Sequence, residues 1–351
     1  MALTFPTLLD LLDHGHDTVI DVRSPAEYAE DHIPGAINLP VLDNEERAEV
    51  GTMYVQQSPF RARKIGAAKV FRNAADHIAG PLADKPGSWK PLVYCWRGGQ
   101  RSGAFGWMLR EIGWRAETLA GGYQSYRRLI HEALYEGVVP HRLVLIDGNT
   151  GTAKTEILGR LAARGAQVID LEGLANHRGS LLGEMPGGQP SQKAFESRLA
   201  CALASLDPDR PVLLEAESNK IGGRLVPPAL WAAMKGAPRI ELIVPVDVRA
   251  AYLARAYDDI LSDGQGMVEK LAPLVRARGR EVIDGWRALI EAGDKTGLTQ
   301  ALIEQHYDPA YAKSRRDRGA EAMAQVASRR LDETGQIQLV AEIEGILAGR
   351  S

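Results

Sequence analysis

The stretch Pro91-Leu92-Val93-Tyr94-Cys95-Trp96-Arg97-Gly98-Gly99-Gln100-Arg101-Ser102 decides the fold of the first half of this chain. Its four apolar residues predict a short buried strand, and the glycine-rich loop that follows carries a cysteine and two arginines. Backbone N–H groups in such a loop converge on one point, and arginine charges favour a thiolate beside an anion. We therefore interpret Cys95 as a catalytic thiol rather than a packed core residue, and we assign the anion-binding loop to Arg97, Gly98, Gly99, Arg101 and Ser102.

Composition excludes several classes of protein. The chain has 351 residues, enough for two domains, and a formal net charge of −3, so any nucleic-acid binding must use local basic patches. Cys95 and Cys201 are its two cysteines, which argues against a disulfide framework, and Cys201 lies in an apolar helical stretch typical of core packing. With no signal peptide and no apolar run near the ~18 residues of a membrane span, we expect a cytoplasmic protein without membrane association.

Strands and helices alternate around the cysteine loop. Residues 19–23 and 115–119 predict strands on either side of it in the sequence, and Ser24-Pro25-Ala26-Glu27 is a strong helix start. Such alternation predicts a parallel α/β sheet, in which ligands bind at the carboxyl ends of the strands. Cys95 falls at such an end.

The run from Asp21 to Tyr28, with His32-Ile33-Pro34-Gly35-Ala36-Ile37-Asn38 after it, resembles the rhodanese family. Common short rhodanese loops place an arginine five residues after the cysteine, whereas Arg101 here is six residues on. The Cys-x5-Arg spacing is similar to that of the phosphatase relatives of the fold. This resemblance implies a loop that accepts something larger than a sulfur atom, such as a phosphorylated chalcogen donor.

A second strand–loop–helix pattern begins near residue 137. The strand from His141 to Asp147 leads into Gly148-Asn149-Thr150-Gly151-Thr152-Ala153-Lys154-Thr155, which fits G-x4-G-K-[ST] except that Ala153 replaces the second glycine. The loop amides and the helix N-terminus would hold a phosphate or diphosphate. Lys154 would add a positive charge, and Thr155 could ligate a metal ion, so a magnesium requirement is left open.

Further polar residues follow the next predicted strands of this half. Glu215 and Glu217 stand where a Walker B acid usually orders the metal-bound water, with a strand cap or an arginine partner as the alternative. A possible second set of site residues is therefore Asp170, His177, Arg178, Glu215 and Glu217. We predict an α/β protein with an N-terminal rhodanese-like domain at residues 1–136 and a C-terminal P-loop NTPase-like α/β domain with a helical extension at residues 137–351.

The two halves together resemble the bacterial tRNA 2-selenouridine synthase family. The resemblance rests on the Cys95–Ser102 loop and on four further runs at residues 170–180, 189–196, 215–218 and 307–311. It implies a tRNA-modifying transferase that converts wobble 2-thiouridine to 2-selenouridine with selenophosphate, through an S-geranyl intermediate made from geranyl diphosphate. By the same resemblance Cys95 would carry selenium, the P-loop would hold geranyl diphosphate or a nucleotide, and no tightly bound cofactor is expected. An enzyme that supplies selenophosphate is a further possible partner.

A tRNA partner requires cationic surface. Residues 61–72 contain no acid, and they carry the predicted tRNA contacts Arg61, Arg63, Lys64, Lys69 and Arg72. Two further groups are Arg276, Arg278 and Arg280, and Lys313, Arg315, Arg316 and Arg318. Trp96 and Tyr123 are candidates for stacking on an exposed base, with core packing as the alternative.

Three other functions fit parts of the same pattern. A thiosulfate-type sulfurtransferase with a nucleotide-binding module would not need the basic clusters. A Cys-x5-Arg phosphatase fused to a kinase-like module would need a general acid near Cys95. A non-catalytic tRNA- or protein-binding module would not need the intact thiol.

Overall fold

A computed structural model describes residues 2–312 and 322–349. Up to residue 137 the elements follow one another as β1 (Ala2–Leu3), α1 (Leu8–Leu12), β2 (Thr18–Asp21), α2 (Pro25–Glu30), β3 (Ile37–Asn38), α3 (Asn44–Gln56), α4 (Pro59–Ala79), β4 (Pro91–Tyr94), α5 (Gln100–Ile112), β5 (Glu117–Leu119), α6 (Gly122–His131) and a π-helical turn at Glu132–Glu136.

The elements after residue 137 alternate at first and then become helical. They are β6 (Leu143–Gly148), α7 (Lys154–Ala163), β7 (Gln167–Ile169), α8 (Leu171–Leu174), α9 (Gln192–Ala204), β8 (Val212–Glu215), β9 (Lys220–Ile221), β10 (Arg224–Leu225), α10 (Pro228–Gly236), β11 (Arg239–Ile243), α11 (Val246–Ala256), α12 (Asp258–Leu261), α13 (Gly264–Leu271), α14 (Val275–Arg278), α15 (Arg280–Glu291), α16 (Lys295–Leu302), β12 (Ala324–Ala327) and α17 (Glu333–Ala348). Shorter 3₁₀ and π-helical turns occupy Ala272–Leu274 and Ile303–Tyr307.

Each half contains one five-stranded parallel sheet. The first has the strand order β1-β5-β4-β2-β3, and the second has the order β12-β11-β6-β8-β7. The α/β fold predicted for both halves is therefore confirmed. Because β4 and β6 are the central strands, the loops that follow them both leave the middle of a sheet at its carboxyl edge, where parallel sheets bind ligands.

The chain forms two compact units whose boundaries differ in one place from the predicted division. The first unit runs to Gly137 and takes in Pro190–Ser205, while the second comprises Val138–Gln189 and the chain from Leu206 onward. The predicted boundary between residues 136 and 137 placed α9 in the second domain. In the structure α9 belongs to the first unit, where Glu196 of this helix accepts a hydrogen bond from Tyr135 at 2.7 Å. A helix that returns to an earlier unit leaves no local mark in sequence, because its partners are distant in the chain.

Buried side chains hold the two central strands in place. All four residues of β4 are buried, and Phe105 and Leu109 of α5 pack into the same core. In the second unit β6 is buried over its whole length, and Ile157 and Leu161 of α7 belong to the core beneath it. Among the described residues, no helix is both long enough and apolar enough to cross a membrane.

Candidate functional site

The Cys95 thiol lies directly after the central strand of the first unit. Its residue is 3% exposed, and Ser102 Oγ, in the first turn of α5, donates a hydrogen bond to Sγ at 3.2 Å. An anion bound beside Sγ would therefore face the N-terminal end of a 13-residue helix. The predicted loop residue Ser102 thus contacts the sulfur itself.

Tertiary packing sets the shape of the cysteine loop. Gly98 has φ of 62°, and a Cβ at this position would lie 2.5 Å from the carbonyl oxygen of Leu119 and 2.7 Å from the amide nitrogen of Gly121. Tyr123 N also donates to the carbonyl oxygen of Cys95 at 2.8 Å. The glycine is required because the loop rests directly on the backbone between β5 and α6.

Arg101 pairs with a carboxylate that sequence reasoning did not include in the site. Its Nη1 lies 3.0 Å from Glu27 Oε2, and Arg47 lies 3.7 Å from the other oxygen of Glu27. Burial acts to raise the pKa of Glu27, but the charge and hydrogen bond of Arg101 outweigh it and hold that pKa below its ordinary value. Glu27 therefore orients Arg101, while Arg97 is exposed beside the loop.

Two aromatic residues near the loop have different surroundings. Tyr123 is 2% exposed, donates a hydrogen bond to Asp31 at 2.8 Å and has the Arg23 guanidinium 3.9 Å from its ring centre. Stacking of a substrate base on Tyr123 is excluded by this burial, so core packing, the alternative, is its role. Trp96 is only partly buried and lines the cavity beside Cys95.

Cys201, the second thiol, belongs to the packed part of the first unit. Its Sγ lies 3.7 Å from the Tyr126 hydroxyl, and burial raises its pKa to about 11. The sulfur is therefore neutral at physiological pH, as expected of a packing residue.

The P-loop of the second unit joins β6 to α7 as predicted from the sequence. Ala153 adopts the left-handed conformation, with φ of 60° and ψ of 31°, where the usual motif has glycine. An L-residue in this region costs about 1–2 kcal/mol. Gly151 has φ of 87° and no room for a side chain, because a Cβ would lie 2.9 Å from Leu253 Cγ. Ala153 therefore adopts, at a cost in conformational free energy, a backbone conformation that glycine adopts freely.

The loop is braced by residues far along the chain. Arg249 is buried and donates to both carboxylate oxygens of Asp308, at 2.9 and 2.7 Å, and to the carbonyl oxygen of Thr150 at 3.2 Å. Asn149 Nδ2 donates to the same carboxylate at 2.9 Å. Arg249 of α11 therefore holds Thr150 directly and holds Asn149 through Asp308.

The lysine and threonine of the motif both contact protein oxygens. Lys154 Nζ donates to the carbonyl oxygen of Gly148 at 2.9 Å, and Thr155 Oγ1 donates to Glu172 Oε2 at 3.0 Å. Burial acts to lower the pKa of Lys154, but the neighbouring Tyr311, Glu217 and Glu172 raise it above its ordinary value. The lysine is therefore charged, and its hydrogen-bond acceptor is a backbone carbonyl of the loop itself.

Glu172 and Glu217 line the P-loop pocket together with Lys154 and Thr155. Burial, reinforced by the charge of Glu217, raises the pKa of Glu172 to about 8. Sequence reasoning did not include Glu172 in the site, although it stands beside Asp170 in a recognised run. Its position shortly after the end of β7 was the available signal.

Glu215 does not have the place predicted for it. It is fully buried, its Oε2 accepts a hydrogen bond from the Leu171 backbone at 2.9 Å, and burial raises its pKa well above the ordinary value. The pocket is lined instead by Glu217, two residues beyond the strand end, and by Asp170, which caps α8 through the Gly173 amide at 2.7 Å. All four residues of β8 are buried, and the hydrogen bond from the α8 backbone holds Glu215 away from the pocket lining.

His177 and Arg178 both line the pocket and both have protein partners. His177 Nδ1 accepts from the Gly179 amide at 3.1 Å, and burial lowers its pKa, so the ring is neutral. Arg178 makes two hydrogen bonds to Asp259, at 3.0 and 2.9 Å, and lies 5.0 Å from the ring centre of Tyr257. These contacts shape the loop at the pocket mouth.

The predicted tRNA-contact residues all lie on α4. Arg61, Lys64 and Arg72 are exposed, and Arg63 is exposed beside the Cys95 cavity. Lys69 differs, because Glu49 and Glu46 of α3 lie 2.9 and 3.5 Å from its Nζ. An acid-free stretch of sequence thus acquires acids from a neighbouring helix.

The other two predicted basic groups give little support for tRNA contact. Arg278 donates to the His306 carbonyl at 3.0 Å, and Arg276 and Arg280 belong to the same helical region. Lys313, Arg315, Arg316 and Arg318 lie outside the described residues. Within residues 2–312 and 322–349, no group of three or more His, Cys, Asp or Glu side chains is arranged to hold a metal ion.

Comparisons with known proteins agree with this two-part architecture. The model of the rhodanese-like domain matches residues 4–129, and the model of the tRNA 2-selenouridine synthase AAA domain matches residues 141–271. Proteins named tRNA 2-selenouridine synthase from Hahella chejuensis and Aeromonas salmonicida are 31% and 35% identical to the chain, and the alignments cover 84% of the chain in both cases and 84% and 86% of the two relatives. A third, from Pseudomonas fluorescens, is 32% identical over 86% of the chain and 90% of its own length.

The rhodanese-like match lies within the first unit, and the AAA-domain match covers part of the second unit together with α9, which belongs to the first. The motif residues Cys95, Lys154 and Thr155 lie at the carboxyl edges of their sheets. Relatives of more than 30% identity span most of the chain. The chain belongs to the tRNA 2-selenouridine synthase family.

Proposed function

We propose that this protein replaces the sulfur of wobble 2-thiouridine in tRNA with selenium from selenophosphate, after first transferring a geranyl group from geranyl diphosphate to that sulfur. The proposal is supported by the presence, in one member of this family, of two motif loops at the carboxyl edges of their sheets: the Cys95 loop in one unit and the P-loop in the other. Each suits one of the two steps.

The P-loop pocket suits an alkyl diphosphate. It has a volume of about 320 Å³ and combines the loop and Lys154 with an apolar wall from Tyr252, Leu253, Ala256 and Tyr257. In this step the thiocarbonyl sulfur attacks C1 of geranyl diphosphate, the C1–O bond breaks, and diphosphate leaves on the loop. The N3 proton of the base is lost at the same time, and Glu217, which lines the pocket, is the carboxylate available to accept it.

The Cys95 loop suits the selenium step. The exchange balances without a redox change when the Cys95 thiolate attacks C2 of the S-geranyl base and geranyl thiol leaves with a proton. Selenium of selenophosphate then attacks C2 and displaces Cys95, and water cleaves the P–Se bond to release phosphate. Arg97 and Arg101 supply cationic charge for the selenophosphate oxygens, and Cys95 is the thiol at the reacting centre.

The exposed cations of α4 support tRNA as the macromolecular partner. Arg61, Lys64 and Arg72 recur at helical spacing on one side of the helix, and Arg63 stands beside the Cys95 cavity. Phosphate contacts from such a group give binding that weakens steeply with salt.

The test is nucleoside mass analysis after incubation with 2-thiouridine tRNA, geranyl diphosphate and selenophosphate. We expect Cys95→Ala to give geranylated but not selenated nucleoside, Lys154→Ala to lose geranylation, and Cys201→Ala, the matched thiol control, to give both products. Absence of any modified nucleoside with the unaltered protein contradicts the proposal. Geranylation that survives Lys154→Ala, while a nucleotide-dependent step is lost, would assign the P-loop to a nucleotide.

A further inference from the structure

The cavity beside Cys95 is much larger than a selenium donor requires. It occupies about 1090 Å³ between α3, α4 and the cysteine loop, entirely within the first unit. Pockets of about 300–1,000 Å³ accommodate a whole organic ligand. Selenophosphate is a single small tetrahedral anion, so most of this space serves another molecule.

The lining indicates the chemistry of that molecule. Arg47, Arg63, Arg97 and Arg101 contribute positive charge, and the hydrocarbon surface comes from Val50, Tyr54, Val55, Ala67, Val70 and Phe71. Tyr54, Val55 and Phe71 remain 50%, 83% and 42% exposed, and apolar side chains that are exposed together around one cavity mark a binding surface. The cavity therefore suits a ligand that has both anionic phosphate and a substantial apolar group.

A tRNA base without an alkyl group does not supply that apolar part. An unmodified 2-thiouridine would stack on one aromatic side chain, such as Trp96, and leave the apolar face of α4 in water. A base that carries a ten-carbon chain would cover that face, while its flanking phosphates lie near the arginines.

We propose that the Cys95 cavity binds the S-geranylated wobble nucleotide, with the geranyl chain packed on the apolar face that α3 and α4 form around Ala67 and Phe71. The inference rests on the proposed function. It adds that the protein binds the geranyl group at two sites: as geranyl diphosphate at the P-loop of the second unit, and as the S-geranyl thioether of the base beside Cys95. The geranyl chain is then a recognition element of the selenium step as well as part of its leaving group.

Two alanines on α4 provide a matched pair for the test. Ala67 is exposed and lines the cavity, so a larger side chain there would enter the cavity without displacing a packed neighbour. Ala75 is also exposed, lies about two turns further along the same helix and does not line the cavity. The variants are Ala67→Trp and Ala75→Trp.

The assay measures selenation of anticodon stem-loop RNAs that carry either S-geranyl- or S-methyl-2-thiouridine, with selenophosphate as donor. We expect Ala67→Trp to lower the geranyl-to-methyl ratio of kcat/KM about tenfold or more, within the range by which apolar pockets discriminate chain size. Ala75→Trp should leave the ratio unchanged.

A second measurement does not depend on turnover of the methyl substrate. Alkylation of Cys95 by iodoacetamide, followed by peptide mass analysis with a cysteine-free peptide of the chain as the loading reference, should be slowed by the geranylated stem-loop and much less by the unmodified one. Ala67→Trp should abolish that difference.

The outcomes separate the two proposals. If the unaltered protein does not selenate geranylated RNA, the geranyl route fails and this inference fails with it. If it does, but Ala67→Trp behaves like Ala75→Trp in both measurements, the proposed function stands and the geranyl site beside Cys95 is refuted.

Discussion

Removal of the Asp308 carboxylate tests how the P-loop is held in shape. In Asp308→Ala, the Arg249 guanidinium loses both of its hydrogen bonds to carboxylate oxygens, and Asn149 loses its acceptor. The chain offers a matched pair in Arg178 and Asp259, which has the same two-bond geometry at 3.0 and 2.9 Å. The comparison variant is therefore Asp259→Ala.

Burial decides the size of the two effects. The Arg249 side chain is 4% exposed and that of Asp308 is 28% exposed, against 23% and 51% for Arg178 and Asp259. Removing one partner of a buried ion pair costs about 3–5 kcal/mol, because the remaining charge is left without a partner. Since water reaches part of Asp308, we expect the lower end, about 3 kcal/mol. The exposed pair should contribute about 0.2–1 kcal/mol.

Urea unfolding of the full chain measures this difference. With a slope of about 2 kcal/mol/M, a loss of about 3 kcal/mol moves the unfolding midpoint of the second unit by about 1.5 M. Hydrogen exchange of peptides that cover residues 148–155 should accelerate in Asp308→Ala and not in Asp259→Ala, and geranyl transfer should fall in parallel.

Equal destabilisation by the two variants would refute the reasoning, because it would show that burial of Arg249 does not set the energy of its ion pair. Normal exchange of residues 148–155 in Asp308→Ala would separately refute the role of Asp308 in shaping the loop.

Two further predictions concern Glu172 and the cations of α4. The pKa of Glu172 is raised from 4.5 to about 8, so between these pH values the folded protein keeps a proton that the unfolded chain has lost. The free energy of unfolding therefore falls as the pH rises through this window, by at most about 1.4 kcal/mol per pH unit. Glu172→Gln should flatten that dependence between about pH 5 and pH 8 in urea titrations, and an unchanged slope would contradict the assignment. Replacing Arg61, Lys64 and Arg72 by Gln should lower the slope of log Kd for tRNA against log salt by about 0.9 for each phosphate that the protein no longer neutralises. Lys69→Gln should change it least, since Glu46 and Glu49 already pair with that lysine.

Residues that act through their immediate neighbours in sequence were predictable. The Cys95 loop, the P-loop and the strands that precede them follow from short-range patterns of apolar residues and glycines. The departure at Ala153 was also visible, although its cost required the observed φ of 60°.

The predictions from sequence were wrong mainly where a charged residue meets a partner from a distant part of the chain. An acid-free sequence around Lys69 predicted free positive charge, but α3 supplies two carboxylates. Glu215 occupies the position in sequence that suggests a catalytic acid, yet it is buried. The pocket is lined by Glu217, which was predicted with it, and by Glu172, which was not.

The motifs that belong to one loop, Cys95 with its glycines and Lys154 with Thr155, were determined by the sequence because a turn and the first residues of a helix are built from consecutive residues. The partners of those loops were decided only by the tertiary structure. Glu27 reaches Arg101, and Asp308 reaches Asn149 from 159 positions away. Ion pairs and close backbone contacts depend on distances between strands and helices, and no local pattern of residue types records these distances.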